Sequence, residues 1–116
     1  GLAFKAETDD MREATSLVTI ARLLDAGCTV RVFDPVAMPE CQRRLGDAVV
    51  YARDMYDAVL GADALLLLTE WKQFRLPSWE VVRRSMNSPV VFDGRNIYDP
   101  AELRRMGFSY ASIGRP

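Results

Sequence analysis

The sequence predicts an α/β domain, a three-layer sandwich with a mostly parallel sheet of about five or six strands between layers of helices. Three observations carry that prediction. Short β-branched or aliphatic runs alternate along the chain with stretches of helical periodicity, as in repeated strand-helix-strand crossovers. Ala64-Leu65-Leu66-Leu67-Leu68 is apolar at every position, as expected of a parallel strand covered on both faces. The first strand, helix and strand follow one another within about thirty residues, the length of one right-handed crossover unit.

The chain opens on Gly1-Leu2-Ala3-Phe4-Lys5, a short apolar run ending in a cation. A central strand normally has about five or six residues, so the chain is expected to begin inside a strand whose upstream half belongs to a longer protein. On that reading residues 1–116 form one excised domain. Leu17, Ile20, Ala21 and Leu24 recur at helical spacing, with Gly27 as the stop, which predicts a helix over about 13–26. Its start is open between a capping pair made by Asp10 and Glu13 and a cap nearer Ser16. Thr29 to Phe33 is a strand, ended by Asp34-Pro35. Residues 38–47 form a weakly patterned helix, and Ala48-Val49-Val50 a short strand at the sheet edge.

Asp54 caps a helix through Leu60, closed by Gly61. Ala64 to Leu68 is then the central strand, and Thr69 to Phe74 a loop at its carboxyl end. Pro77, Trp79, Val82 and Met86 mark a further helix, and Pro89 to Phe92 the next strand, ending in Asp93-Gly94-Arg95-Asn96. Asp99-Pro100 with Glu102 combines a cap, a first-turn proline and an early acid. That helix ends at Gly107, before a last strand over Phe108 to Ile113.

Composition narrows the function. At 116 residues with 49% apolar content the chain is one domain with a substantial core. A net charge of -1 argues against a broad nucleic-acid surface. There is no histidine, which removes the usual neutral-pH base and a common zinc ligand, and no metal site is expected. Cys28 and Cys41 read as two reduced thiols. No apolar run reaches transmembrane length and no signal-peptide flanks are seen, so no membrane partner and a cytoplasmic location are expected.

Ligands of open parallel sheets bind at the carboxyl ends of the strands. Three segments gather there on this reading: Lys5 to Arg12, Thr69 to Phe74 and Asp93 to Tyr98. They bring Lys5, Arg12, Lys72 and Arg95 beside Gly94, which permits close backbone approach. Cations of this kind suit phosphate groups. Each also has a plainer role: Lys5 as a solvated strand end, Arg12 paired with Asp9 or Asp10, Arg95 paired with Asp93 or Asp99. Trp71 and Phe74 either pack back onto the domain or offer a partner surface. The first turn has no GxGxxG, so a dinucleotide site is not expected here and Asp34 reads as a strand terminator. A phosphoreceiver arrangement fails for want of an acid after Val50-Tyr51 and of a lysine where Arg95 stands.

Five motifs then carry a family resemblance: Gly1 to Lys5, Thr8-Asp9-Asp10-Met11-Arg12-Glu13, Thr69-Glu70-Trp71, Phe92-Asp93-Gly94-Arg95-Asn96 and Ser112-Ile113-Gly114-Arg115-Pro116. In this order, and across the whole chain, they resemble the C-terminal, UDP-binding domain of the UDP-glucose and GDP-mannose dehydrogenase family. The resemblance implies a Rossmann-like domain that closes over a nucleotide sugar. It also implies an N-terminal NAD-binding domain and a helical central domain outside this chain, with a homo-oligomer as the full-length enzyme. Such enzymes oxidise the sugar's C6 alcohol to a carboxylate in two hydride transfers, using a cysteine from the middle region. Neither Cys28 nor Cys41 matches it, so no catalytic residue is expected in this fragment, which alone should be inactive.

By resemblance Lys5 reaches the substrate near its phosphates and sugar, Phe4 is its pocket neighbour, and Arg95 contacts the nucleotide sugar. Asp10, Arg12, Glu70, Trp71 and Gly94 are supporting positions within the matching motifs. Many members carry proline where this chain has Ala6 and Thr15, which loosens loop and cap details. Oxidation of UDP-glucose to UDP-glucuronate is the favoured reaction; a UDP-N-acetyl sugar or GDP-mannose substrate, or a noncatalytic interaction module, are the alternatives.

Overall fold

The computed structural model describes residues 1–113. The Gly114-Arg115-Pro116 part of the last motif lies outside them. In order come α1 (Thr15–Asp25), β1 (Arg31–Val32), α2 (Met38–Leu45), a 3-10 turn (Gly46–Ala48), β2 (Val50–Tyr51), α3 (Met55–Val59) and β3 (Leu65–Leu67). Then follow α4 (Lys72–Arg75), α5 (Trp79–Ser85), β4 (Val90–Asp93), α6 (Pro100–Arg105) and β5 (Ser109–Ser112).

Local chemistry explains most boundaries. The Asp54 carboxylate accepts from the N–H groups of Tyr56 and Asp57, Ser78 accepts from Val81, and Asp99 accepts from Ala101 ahead of Pro100. Each satisfies a donor that the first helical turn leaves orphaned. Gly27 and Gly107, at φ of 86° and 91°, end α1 and α6 in the left-handed region.

The strands form two parallel sheets, β1-β2 and β3-β4-β5, interleaved with helices in a Rossmann-like α/β sandwich. Arg31 pairs with Val50, Leu66 with Phe92, and Phe92 with Ala111. Each sheet has its own core. Ile20, Val32, Ala37, Cys41 and Val49 pack with Leu2, Ala3, Met11 and Ala14 in the first half. Val59, Leu67, Trp71, Phe74, Trp79, Val82, Val91, Tyr98, Leu103 and Phe108 pack in the second. The Trp79 ring stands edge-on to Tyr98 and Phe108, at centroid distances of 4.8 and 5.3 Å.

Three expectations are corrected and one open alternative is decided. Residues 1–5 are not a strand, because their backbone groups are taken by side chains and a loop carbonyl instead of a neighbouring ladder. In consequence β3 is not central: it stands at the edge of the three-stranded sheet. The segment after β3 is not all loop, since Lys72–Arg75 winds one helical turn that buries Phe74. Of the two starts left open for α1 the later one holds: the cap is Ala14, near Ser16, with no side-chain cap, because Asp10 is bonded to Arg12 and the Ser16 hydroxyl is turned to Leu2.

Candidate functional site

Residues 2–4 are held by a clasp drawn from both halves of the domain. The N–H groups of Leu2 and Ala3 donate to Asp34 Oδ2 at 2.8 and 3.3 Å. The Leu2 carbonyl accepts from Ser16 Oγ at 2.5 Å and the Ala3 carbonyl from Thr69 Oγ1 at 2.6 Å. Phe4 donates to the Asp10 carbonyl at 3.1 Å, and its own carbonyl accepts from Arg95 Nη2. All six backbone polar groups of the tripeptide are therefore satisfied without a strand partner, as burial of Leu2 and Ala3 requires.

Asp34 and Thr69, fully buried at the ends of apolar runs, are the positions that sequence reasoning undervalued. Asp34 does more than end a strand. Its second oxygen accepts from Val36 and Ala37 at 2.9 and 2.8 Å, so the carboxylate closes the turn into α2 while gripping residues 2 and 3. Burial alone would raise its pKa, but the four backbone donors outweigh that and hold it below the ordinary value. With every lone pair directed inward, Asp34 has nothing left to offer a ribose. The signal available in sequence was an acid directly after a β-branched strand.

The clasp presents Phe4 and Lys5 at the surface. Phe4 is 39% exposed, and the Lys5 ammonium lies 5.4 Å from its ring centroid. Lys5 makes no ion pair among the described residues. Arg95 is anchored: Nε donates to the Leu68 carbonyl at 2.9 Å, while Nη2 reaches Phe4. It pairs with neither Asp93 nor Asp99; the Asp93 carboxylate instead accepts from the backbone of Arg95 and Tyr98 and from the Tyr110 hydroxyl. Two of the five guanidinium N–H groups are used in these bonds, and among the described residues no carboxylate pairs with the charge. Gly94 donates to the Leu67 carbonyl at 2.8 Å; a Cβ there would stand 2.9 Å from that same oxygen, so glycine lets the loop cross β3 closely.

Segments 69–74 and 93–98 therefore meet each other, and both are bonded to residues 3 and 4, which lead into the third. Thr69 bonds Ala3, Arg95 bonds Phe4, and the Tyr98 hydroxyl bonds the Phe74 carbonyl at 2.6 Å. The supporting residues divide. Asp10 and Arg12 pair with each other at 2.7 Å, which holds the Asp10 carboxyl down to about 2, and they share a groove with Glu40, Arg43 and Arg44 of α2. Glu70 lies 3.5 Å from Arg75. Trp71 and Phe74 are buried, so the partner surface they were expected to offer in an interaction module is absent. The Trp71 indole N–H has no hydrogen-bond partner among the described residues. Both cysteines are free, Cys28 exposed and Cys41 buried, and no cluster of metal-ligating side chains occurs among the described residues. Among these residues no helix is long and apolar enough to cross a membrane.

Comparisons with known proteins bear on the family and the fold. Residues 1–100 match the model of the UDP-glucose/GDP-mannose dehydrogenase family, UDP binding domain. The chain is 52% identical over 121 residues to the UDP-glucose 6-dehydrogenase of Pseudomonas aeruginosa, and 40% identical over 116 residues to UDP-glucose 6-dehydrogenase TuaD of Bacillus subtilis. Both alignments cover all of this chain but only 27% and 25% of those proteins, so it spans about a quarter of their length. A solved UDP-glucose dehydrogenase from Pyrobaculum islandicum superposes with a TM-score of 0.73 at 34% identity, over 84% of this chain and 21% of that one. An NDP-N-acetyl-D-galactosaminuronic acid dehydrogenase from Methanosarcina mazei gives 0.75 at 27% identity, over 99% and 23%. From the order of its motifs, its parallel α/β architecture and these matches, the chain belongs to the UDP-glucose/GDP-mannose dehydrogenase family, of which it is the C-terminal, UDP-binding domain.

Proposed function

We propose that this domain is the substrate-holding part of an NAD-dependent UDP-glucose 6-dehydrogenase, and that Lys5, Phe4 and Arg95 form its nucleotide-sugar contacts. The observation that carries the reading is the bond from Arg95 to the Phe4 carbonyl, which fixes two cation-bearing loops as one unit. A sugar nucleotide brings a diphosphate. The exposed ammonium of Lys5 offsets that charge as a point, while the anchored guanidinium of Arg95 supplies directed donors. Phe4 gives the aliphatic part of Lys5 and the sugar an apolar wall.

When bound by another domain, NAD would supply the hydride acceptor for the C6 alcohol; residues 1–13 lack the glycine-rich turn that would hold it here. This domain contributes position. Holding a hexose in register with its oxidant removes much of the entropic barrier to reaction, and closure of the domain over the sugar excludes water. A homo-oligomeric, cytoplasmic full-length enzyme belongs to the same proposal. UDP-glucose is favoured over UDP-N-acetyl sugars and GDP-mannose because the relatives at 52% and 40% identity are UDP-glucose 6-dehydrogenases.

Backbone amide NMR of the 116-residue chain, titrated in parallel with UDP-glucose, GDP-mannose and NAD, tests the proposal. Saturable shifts at Phe4, Lys5 and Arg95 with UDP-glucose, and none with NAD, are expected. Shifts with NAD alone would overturn it.

A further inference from the structure

The loop that carries Arg95 is built on a buried carboxylate. Asp93 ends β4 at 1% exposure, and among the described residues no cation pairs with it. A buried charge without an ion partner has to be met by hydrogen-bond donors. Oδ1 accepts from the Arg95 N–H at 3.0 Å, and Oδ2 accepts from the Tyr98 N–H at 2.9 Å and from the Tyr110 hydroxyl at 2.8 Å. The two oxygens thus grip the loop near both of its ends. Between them Asn96 stands at φ of 58°, a left-handed conformation that a residue other than glycine keeps only where its surroundings impose it.

The plane of one carboxylate therefore sets where the Arg95 backbone leaves the sheet. From there Nε reaches the Leu68 carbonyl at 2.9 Å and Nη2 the Phe4 carbonyl. Because the guanidinium is a rigid fork, it meets two fixed carbonyls only from a fixed backbone. Of the three donors to Asp93, two belong to the loop itself, and Tyr110 brings the third from the neighbouring strand.

The register explains the reach. Val91 lies opposite Tyr110 and Asp93 opposite Ser112, so Tyr110 and Asp93 are diagonal neighbours on one face of the sheet, a separation that long side chains span. The Tyr110 ring lies with the Arg104 guanidinium 5.9 Å from its centroid, and its hydroxyl ends on Asp93. Without that hydroxyl Oδ2 loses a donor at a buried site, where water is a poor substitute, and the carboxylate turns away from the loop to recover one.

We propose that Tyr110 is a positioning residue of the nucleotide-sugar site, acting through Asp93 to hold the Arg95 guanidinium in the place from which it meets its ligand. The consequence for turnover rests on the nucleotide-sugar reading of Arg95.

The test uses the full-length enzyme, with Tyr110→Phe, Arg95→Ala and the double variant. Phenylalanine keeps the ring and its face toward Arg104 and removes only the oxygen. Kinetics with UDP-glucose are read well below the melting temperature, so that a general loss of stability does not register. Tyr110→Phe is expected to lower kcat/KM for UDP-glucose about three- to tenfold, the scale of a misplaced contact, with KM for NAD unchanged. In the Arg95→Ala background the same substitution is expected to change kcat/KM by less than about twofold, because groups that act as one unit do not add. Hydrogen exchange of the 94–98 segment, without nucleotide, is expected to quicken about tenfold in Tyr110→Phe.

An impaired Arg95→Ala beside a Tyr110→Phe equal to the parent overturns the proposal and leaves the nucleotide-sugar reading standing. Equal losses from Tyr110→Phe with and without the Arg95 side chain overturn it too, since the hydroxyl then acts elsewhere. Unchanged exchange over 94–98 does the same. Arg95→Ala kinetics equal to the parent remove the nucleotide-sugar reading, and this proposal with it.

Discussion

Replacing Asp34 with asparagine should release residues 2 and 3 while leaving the rest of the fold in place. The carboxylate accepts four backbone N–H groups, two on each oxygen. An amide keeps one oxygen and turns an NH2 toward the other pair, so two donors lose their acceptor whichever way it rotates. Lengths decide which pair. Val36 and Ala37 bind at 2.9 and 2.8 Å within one turn, whereas the distant pair includes the 3.3 Å contact from Ala3. Leu2 and Ala3 are therefore the ones freed.

Two hydrogen bonds to a charged group, at roughly 1.5 kcal/mol each, give a loss of about 3 kcal/mol. That is a large share of the ~5–15 kcal/mol stability of a domain. Urea unfolding of Asp34→Asn measures it, with amide exchange at Leu2 and Ala3 as the local readout. The folded-state pKa of Asp34 is lowered below the ordinary 3.8. Its contribution is thus present above that value and lost as pH falls through the folded pKa. The variant should lose less stability in acid than the parent chain. A loss under about 1 kcal/mol with unchanged exchange at both amides would refute the clasp as the determinant of this segment.

Three further outcomes are expected. In the full-length enzyme, Lys5→Ala and Arg95→Ala should each lower kcat/KM for the nucleotide sugar about tenfold or more, the worth of a charge-assisted bond, with KM for NAD unchanged. Arg95→Lys should not restore activity, since an ammonium cannot reproduce the planar fork that reaches Leu68 and Phe4; unchanged steady-state kinetics in both alanine variants would remove the assigned roles. Gly94→Ala should destabilise the chain by about 1–3 kcal/mol in thermal or urea melts, because its Cβ meets the Leu67 carbonyl at 2.9 Å. Finally, the amino group at Gly1 falls from 8.0 to about 6 because burial disfavours the ammonium, opposed by the Asp34 charge. The unfolded chain then holds more protons between those values, so the melting temperature of the 116-residue chain should rise from pH 6 to 8, and acetylation should flatten that rise.

The elements legible in the sequence were those whose stability is local. Asp54 and Asp99 cap as their spacing implies, the run at 64–68 is a strand, and Gly27 and Gly107 stop their helices. What the sequence did not disclose depends on partners far along the chain. The apolar run Gly1 to Lys5 has strand composition, yet its bonds go to Ser16, Asp34, Thr69 and Arg95, separations no local pattern encodes. The edge position of β3 follows from the same fact. The start of α1 stayed open in the sequence because Ala14 caps without a side chain while Ser16, the better capping residue, is used elsewhere. The meeting of the Phe4 and Arg95 segments was anticipated from strand ends sharing one rim, which holds for Arg95 after β4 but not for residues 1–5, and the bracing of Arg95 by two carbonyls was not legible.

The clasp also sets how motion travels. Leu2 to Phe4 is bolted to Ser16 and Asp34 on one side and to Thr69 and Arg95 on the other. The tripeptide behaves as a rivet through two plates: any shift of one half of the domain against the other is shared by residues 2–4, so the base from which Lys5 projects moves with both halves instead of swinging on a loop.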